Sequence, residues 1–288
     1  MMTFKELKKL VKLPLYKEQR VPTVKALEES GVSVVAEKIL ENHGSISVYQ
    51  NGYVIYRAHK RVTVFSLRNC VHYKYDALEG AGHHIEEEEF DDLVEKGVMP
   101  RKVANYLIEK INTTGVVICG KGASGKTNLL NVLLDRIYYN MSGLVIQESK
   151  ELFSNKHPDF MFQHITNSKN GRPAYGLKEE ATNGLLTDLD HFIIGEIKGG
   201  EAWYFLNAAA TGHICSCTVH APSARDAIDK LADYVTYESK YSKEQAMYML
   251  KELKTIVFMS HFKIREIVEI TGWDDEKKQL IFKTVYQL

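Results

Sequence analysis

Apolar and polar residues alternate along residues 44–68, GSISVYQNGYVIYRAHKRVTVFSLR. Such alternation is typical of strands that bury one face. Asn51-Gly52 stands near the middle of the segment, and this dipeptide tolerates the positive φ angles of a type I′ turn. The pattern therefore predicts a β-hairpin followed by a third strand.

Two helices are predicted after this hairpin. Glu86–Phe90 places carboxylates in the first turn of a helix that ends at Gly97, which is favourable against the helix dipole. Pro100 begins a second helix, which continues to about Ile111. We expect the domain boundary in this region, with an N-terminal α/β domain over 1–95, a linker over 96–105 and a second domain over 106–288.

From Gly115 onward, short apolar runs alternate with helical periodicity. The predicted strands cover residues 116–119, 144–147, 192–194 and 213–219, and the predicted helices cover 126–139, 202–210 and 224–237. Strands that alternate with helices imply right-handed crossovers and a mostly parallel sheet. The tail, 262–288, predicts an antiparallel hairpin added to that core. The fold class is therefore α/β.

Composition narrows the classes of function. The 288 residues are 44% hydrophobic and 26% charged, which is typical of a globular chain and not of a disordered one. The 37 basic and 37 acidic residues cancel, and this disfavours nucleic acid as the main partner. No apolar run approaches the ~20 residues of a membrane span, so no integral membrane segment is expected.

Residues 120–127, GKGASGKT, satisfy the phosphate-binding pattern G-x-x-x-x-G-K-[ST]. Glycines let backbone N–H groups surround an anion, and the following helix adds its positive end. Lys126 would reach the β- and γ-phosphates, and the Thr127 hydroxyl would ligate Mg²⁺. The alternative is a glycine-rich turn before a helix, but the predicted strand before the loop favours nucleotide binding. We expect ATP and Mg²⁺ to be bound by Gly120, Lys121, Gly122, Ala123, Ser124, Gly125, Lys126, Thr127 and Asn128.

Hydrolysis also needs a carboxylate at a strand end. The apolar strand in 191–202, HFIIGEIKGGEA, ends in Gly195-Glu196, which makes Glu196 the candidate that positions the attacking water. The alternative for Glu196 is a solvated glutamate. Glu148 and Glu151 follow another predicted strand, and by themselves they indicate only a polar loop.

A metal site is conceivable in residues 211–221, TGHICSCTVHA, where His213, Cys215 and Cys217 share one face of a predicted strand and His220 follows. Residues on one strand face lie in a row, which makes tetrahedral closure awkward. Buried cysteines are also common. A metal site is therefore disfavoured.

Four segments in this order resemble the secretion ATPase superfamily, the hexameric motors of type II and type IV secretion and of pilus assembly. They are the phosphate-binding loop, the acidic box VIQESKEL, the Walker B box IIGEIKGGEA and the histidine box TGHICSCTVHAPSARDAIDKL. The G-E-A and H-A endings, and the lack of a four-cysteine zinc motif, look most like the type IV secretion traffic ATPases and Tad-pilus ATPases.

This resemblance implies roles for individual residues. Glu148 and Glu151 would line the metal and water side, with Glu148 and Thr127 at the magnesium. Glu196 would be the Walker B glutamate. His220 would sense the γ-phosphate, with His213 supporting it.

The resemblance also implies an architecture and a setting. The family joins an N-terminal α/β domain to a RecA-like domain, and six copies form a ring. We therefore expect a homohexamer in the cytoplasm, peripheral on the inner face of the cytoplasmic membrane. Its partners would be an inner-membrane platform or secretion-channel proteins, with no direct binding of nucleic acid.

The chain differs from the family pattern at several positions where the family usually has a carboxylate or an arginine. The family usually has Glu-Asp at the position of Gln147-Glu148, two arginines near Leu186 and Asp188, and an arginine at Lys198. An arginine that stabilises the transition state is worth ~10³ or more in rate.

Other arginines would have to replace those that are missing. We expect Arg57, Arg61 or Arg68, on the N-terminal strands, to complete the site from the same or a neighbouring subunit.

The expected function is a hexameric ATPase motor that hydrolyses Mg-ATP to power type IV secretion, conjugation or pilus assembly. One alternative is a nucleotide-binding assembly scaffold with little hydrolysis, which the missing carboxylate and arginines favour. The other is a RecA-like nucleic-acid translocase, which the zero net charge and the histidine box disfavour.

Overall fold

The structure is a computed structural model that describes residues 45–48, 53–58, 61–66, 90–138, 141–148, 151–154, 160–164, 176–185 and 189–288. It divides into two compact units. One contains Met1–His84 and Tyr139–Asp190, and the other contains Ile85–Tyr138 and His191–Leu288. The predicted boundaries of an N-terminal domain over 1–95 and a linker over 96–105 stay predictions, because much of the first segment lies outside the described residues.

Strands and helices alternate through most of the described chain. The strands are β1 (Ser45–Val48), β2 (Tyr53–Ala58), β3 (Arg61–Ser66), β4 (Val117–Gly120), β5 (Gly143–Gln147), β6 (Phe160–His164), β7 (His191–Ile197), β8 (Ile214–His220), β9 (Thr255–Ser260), β10 (Lys263–Asp274) and β11 (Gln279–Gln287). The helices are α1 (Phe90–Glu95), α2 (Arg101–Thr113), α3 (Lys126–Leu134), α4 (Leu177–Gly184), α5 (Glu201–Ala210), α6 (Ala224–Glu238) and α7 (Lys243–Met249), followed by a 3-10 turn (Leu250–Glu252).

In the first unit, β1, β2 and β3 form an antiparallel sheet in that order. The predicted hairpin and third strand are therefore confirmed. Of the arginines proposed to complete the site, Arg57 lies in β2, Arg61 lies in β3, and Arg68 lies outside the described residues. The same unit contains β5 and β6, which pair in parallel from Gly143 opposite Phe160. The sequence did not predict β6.

In the second unit, strands are hydrogen-bonded in the order β11-β10-β9-β4-β8-β7. Strand β4 pairs in parallel with β8 and β9, and β7 pairs in parallel with β8. Strand β10 pairs antiparallel with β9 on one side and with β11 on the other, and the β10–β11 pair confirms the predicted terminal hairpin. Every residue of β4 is buried, so this strand lies in the core with the phosphate-binding loop at its carboxyl end.

Helix α2 packs its apolar stripe into the core of this unit. Val103, Leu107 and Ile111 recur at helical spacing and are buried. Asn112, also buried, donates to the Arg136 carbonyl at 2.9 Å and accepts from the Tyr138 N–H at 2.7 Å. These two bonds hold the chain just after α3.

Helix α3 ends at Leu134, five residues before the predicted end at 139. Because the Asn112 side chain takes backbone groups that a longer helix would use internally, the helix stops early. The periodicity of the sequence could not show this, since the competing partner lies on α2.

Helix α7 was missed, although its start carries a recognisable signal. Ser242 accepts from the Gln245 N–H and the Gln245 side chain accepts from the Ser242 N–H, which is a capping box. Strand β9 was also missed. Across the described ranges, no helix has both the length and the apolar character needed to cross a bilayer.

Candidate nucleotide-binding site

The glycine-rich loop connects the end of β4 at Gly120 to the start of α3 at Lys126. Its backbone enters the left-handed region at Ala123, with φ 55°, and at Gly125, with φ 93°. Gly120 has φ 155°, and a Cβ atom there would collide with the Met259 carbonyl oxygen of β9. Glycine is therefore required at position 120, because the backbones of β4 and β9 approach each other closely there.

Two buried polar side chains of the loop, an ammonium and a hydroxyl, can interact with an anion. Lys126 is 6% exposed, and its Nζ donates to the Lys121 carbonyl at 2.8 Å. Ser124 is 3% exposed, and its Oγ has no hydrogen-bond partner among the described residues. A buried hydroxyl without a partner is costly unless something supplies one. A phosphate oxygen would do so, so the loop fits a nucleotide phosphate.

His220 is brought to the loop by the register of the sheet. It is the last residue of β8 and pairs directly with Gly120 of β4. A Cβ placed on Gly122 would lie 3.6 Å from Cε1 of His220, so the imidazole is in contact range of the glycine loop.

Glu196 is aimed by a β-bulge in β7. Ile194 pairs with Cys217 and Ile197 pairs with Val219, so β7 has one residue more than β8 between these pairs. The Thr218 hydroxyl of β8 donates to the Gly195 carbonyl at 2.7 Å and fixes the bulge. Bulges re-aim side chains, and here the bulge sets the direction of the Glu196 carboxylate.

The Glu196 carboxylate lies among basic groups. Its Oε1 is 2.9 Å from Nε2 of His220, and its Oε2 is 3.3 Å from Nζ of Lys198. The Lys230 Nζ donates to the His220 carbonyl at 2.7 Å. Lys198 was noted in the sequence only as a replacement for arginine, and Lys230 was missed because no local pattern distinguishes it from other helix-surface lysines.

The pKa of His220 lies below its ordinary value. Partial burial is the largest cause, followed by the positive charge of Lys126, while the Glu196 carboxylate opposes the shift. A neutral imidazole at neutral pH can donate through Nε2 to the Glu196 carboxylate. The pair can therefore hold a water or a phosphate oxygen through polar contacts without adding a second full positive charge beside Lys126.

Glu201 holds the turn that follows this strand. Its Oε1 accepts from the Lys198 N–H at 2.5 Å and from the Gly199 N–H at 2.9 Å. Glu201 is the first residue of α5 and is buried, so these two bonds fix the turn between the Glu196 strand and α5. The sequence signal for this role is a glutamate directly after Gly199-Gly200.

His213 is not brought to the loop. It precedes β8, whereas His220 ends the same strand, so the two histidines are separated by roughly 20 Å at the usual rise of a strand. The His213 Nδ1 instead contacts the Thr211 hydroxyl at 3.2 Å and the Ala208 carbonyl at 3.1 Å. The two histidines therefore lie at opposite ends of β8, and the supporting role expected for His213 stays a prediction.

Two cysteines of the histidine box are buried in β8. Cys215 and Cys217 are free and buried, and burial raises the pKa of both thiols. Within the described ranges, no group of three or more His, Cys, Asp or Glu side chains is placed to hold a metal. These cysteines pack as small apolar side chains.

The acidic loop after β5 is organised by Gln147, which is 3% exposed. Its Oε1 accepts from the Glu151 N–H at 3.0 Å and the Leu152 N–H at 2.7 Å, and its Nε2 donates to the Leu152 carbonyl at 2.9 Å. An amide can accept and donate at once, and a carboxylate cannot. Gln147 therefore shapes this loop. Within it, Glu148 is exposed and Glu151 is half-buried.

The model of the Type II/IV secretion system protein family matches residues 85–256, which is more than half of the chain. The chain belongs to this family. The match covers the glycine loop, the acidic loop, the β7 bulge and the end of β8, which are the segments that carried the resemblance in the sequence.

Relatives support the same assignment over part of their length. The type IV secretion system protein VirB11 of Brucella suis biovar 1 is 31% identical over 124 residues, which cover 41% of this chain and 33% of that protein. The chain thus aligns with about a third of the length of the VirB11 proteins. An uncharacterized protein of Methanocaldococcus jannaschii is 26% identical over 203 residues, covering 68% of this chain and 73% of that protein.

A solved structure confirms the fold. The crystal structure of the VirB11 ATPase from the Brucella suis type IV secretion system, in complex with sulphate, superposes with a TM-score of 0.51 at 20% identity. The superposition covers 82% of this chain and 77% of that one. The predicted α/β fold, of the RecA-like type found in secretion ATPases, is therefore confirmed.

Proposed function

We propose that this family member is an ATPase that binds Mg-ATP at the glycine loop and hydrolyses it with Glu196 orienting the attacking water. The observation that carries the proposal is the 2.9 Å pair of Glu196 and His220 at the ends of β7 and β8, beside the loop that ends β4. A carboxylate that can orient water beside a phosphate-binding loop is what hydrolysis requires.

Three side chains at the glycine loop have defined tasks in this proposal. Lys126 neutralises phosphate charge, the Ser124 hydroxyl donates to a phosphate oxygen, and the Thr127 hydroxyl ligates magnesium. Magnesium, when bound, neutralises charge that develops on the phosphate oxygens. It is usually held by few protein oxygens together with substrate phosphates.

Glu148 and Glu151 complete the proposal by resemblance. We assign both to the metal and water side, with Glu148 at the magnesium. Glu148 is exposed in the acidic loop, and Glu151 is half-buried. His220 senses the γ-phosphate, and the neutral form favoured by its lowered pKa suits a hydrogen-bond donor at that position.

At the level of the whole protein, we propose a homohexameric motor in the cytoplasm, peripheral on the inner face of the cytoplasmic membrane. Hydrolysis would power type IV secretion, conjugation or pilus assembly through an inner-membrane platform or secretion-channel proteins. The support is membership of the Type II/IV secretion system protein family and the similarity to VirB11.

A second candidate is a nucleotide-binding assembly scaffold with little hydrolysis. The observation that favours it is Gln147, whose amide makes three hydrogen bonds within the acidic loop at a position where the resemblance implies a carboxylate. Lys198 adds to this, because an ammonium does not offer the planar fork of an arginine to a phosphate.

Steady-state hydrolysis of Mg-ATP across protein concentrations, with the mass in solution measured in parallel, separates these candidates. A motor predicts turnover that rises as a hexamer forms and falls at least ~100-fold in Glu196→Gln, while ADP binding persists. Glu244→Gln, the same chemical change at an exposed position on α7, is the matched control and should leave turnover unchanged. Tight binding without turnover in the wild type would favour the scaffold, and turnover stimulated by DNA would favour a translocase.

The source of the missing arginine is tested by an alanine series at Arg57, Arg61 and Arg68. We expect one of the three variants to lose most of its turnover with little change in ADP affinity, because such an arginine acts mainly on the transition state. Equal turnover in all three variants would show that the arginine comes from elsewhere.

A further inference from the structure

The turn between β9 and β10 has an unusual conformation for its residues. Ser260 pairs with Lys263, so only His261 and Phe262 form the turn. Both have positive φ, 51° and 56° respectively. Two-residue hairpin turns with two positive φ angles strongly favour Asn-Gly, and a bulky residue with positive φ is strained.

This turn lies against the glycine loop. A Cβ on Gly125 would be 3.3 Å from Cδ1 of Phe262 and 3.4 Å from Cε of Met259. The position is fixed by the sheet, because β9 pairs in parallel with β4 and Met259 is the partner of Gly120. The Phe262 ring is thus held beside the start of α3. This is where the glycine loop, with the backbone N–H groups that would bind phosphate, joins the helix.

Burial in the protein core does not explain why position 262 carries an aromatic side chain. Phe262 is 62% exposed, so its ring gains little from the hydrophobic effect, and the hairpin does not need it because smaller residues form such turns with less strain. Backbone strain of this kind is concentrated at ligand-binding positions, where the surrounding structure maintains it.

We propose that Phe262 is the stacking platform for the base of the nucleotide that the glycine loop binds. This inference rests on the proposed function. The loop and the N-terminus of α3 take the phosphates, and the exposed ring offers an apolar face beside them. Stacking on an aromatic face tolerates every base, so we expect adenine and guanine nucleotides to bind with similar affinity.

The test compares ligands with and without a base. Calorimetry with Mg-ADP and with inorganic tripolyphosphate would be applied to the wild type, Phe262→Ala and Phe262→Tyr. We expect Phe262→Ala to weaken ADP about 10-fold or more, while tripolyphosphate changes less than about 2-fold. Phe262→Tyr should keep the wild-type affinity for ADP. Tyr237→Ala, which removes an aromatic residue of 65% exposure from α6, is the matched control and should change neither ligand.

A second variant separates stacking from damage to the fold. The double change His261→Asn with Phe262→Gly gives the turn the residues it prefers, so the melting temperature should rise by about 2–4 °C while ADP affinity falls. Loss of affinity in a more stable protein cannot come from unfolding.

The outcomes distinguish the two proposals. If the wild type binds both ligands and Phe262→Ala binds ADP as tightly as the wild type, the stacking role of Phe262 is rejected. The ATPase proposal is then unaffected. Equal weakening of ADP and tripolyphosphate would also reject the platform, because it would show that Phe262 only supports the loop. A wild-type protein that binds neither ligand would reject both.

Discussion

Gln147→Glu tests whether the acidic loop of this protein depends on an amide. The change introduces the glutamate that the resemblance implies at this position, and it replaces one nitrogen by oxygen with almost no change in shape. In the folded chain that nitrogen, Nε2, donates to the buried Leu152 carbonyl at 2.9 Å. The oxygen that replaces it in a carboxylate has no proton and would face the carbonyl oxygen.

The expected cost follows from these contacts. The two bonds that Oε1 accepts, from Glu151 and Leu152, survive the change. The Leu152 carbonyl loses its donor, which costs about 1–3 kcal/mol, and the buried carboxylate adds repulsion and desolvation. We expect the free energy of unfolding to fall by about 2–4 kcal/mol at pH 8, which is a drop of roughly 4–16 °C in melting temperature for a chain of this size.

The loss should depend on pH with a defined sign. Burial and the facing carbonyl raise the pKa of the new carboxyl above its unfolded value of about 4.3. Below about pH 4 it is protonated in both states, and its O–H can donate to the Leu152 carbonyl as the amide did. The deficit should therefore be small at low pH and should grow as the pH rises through the folded pKa.

Thermal unfolding of wild type and Gln147→Glu between pH 4 and pH 8 measures this. Gln279→Glu, the same change at an exposed position of β11, is the control and should stay within about 0.5 kcal/mol of the wild type. A Gln147→Glu protein as stable as the wild type at pH 8, or a deficit that does not shrink toward pH 4, would refute the reasoning.

Three further predictions concern the second unit. Glu269→Gln should lower the free energy of unfolding by about 1 kcal/mol at neutral pH and by less below pH 4. The reason is that the Tyr106 hydroxyl is the chief cause that lowers the pKa of Glu269, so the contribution of this carboxylate is lost as the pH falls through that pKa. Denaturant titrations at both pH values check this. Lys126→Met should raise the pKa of His220, because the Lys126 charge is one of the causes that lower it. A histidine titration followed by NMR measures the shift, and an unchanged pKa would show that the Lys126 charge does not act on His220. Gly120→Ala should abolish tripolyphosphate binding and lower the melting temperature by several degrees, because the added Cβ would overlap the backbone of β9. Calorimetry measures the binding, and an alanine variant that still binds tripolyphosphate would contradict the close approach of Gly120 and β9.

The sequence predicted the parts of the fold that depend on neighbouring residues. The glycine loop, the strand before it and the helix after it are local features, since positive φ angles, buried apolar runs and helix starts each follow from a few adjacent residues. The alternation of strands and helices was enough to predict an α/β fold, and the terminal hairpin followed from its own pattern.

Partners that are distant in the chain were not predictable in the same way. The place of β9 beside β4, the Thr218 hydroxyl that fixes the bulge at Gly195, and the Lys230 contact with the His220 carbonyl all arise from pairing and packing. No local pattern marks them, because each residue type at these positions is ordinary for its element.

The two histidines of the histidine box show the difference most clearly. The sequence predicted a strand over 213–219 with His220 directly after it, and in the structure β8 runs from Ile214 to His220. Only the tertiary structure decided that His220 meets the glycine loop while His213 lies at the other end. The physical reason is that parallel strands bring their carboxyl ends to one edge of a sheet, and register across the sheet is set by long-range packing and not by spacing along the chain.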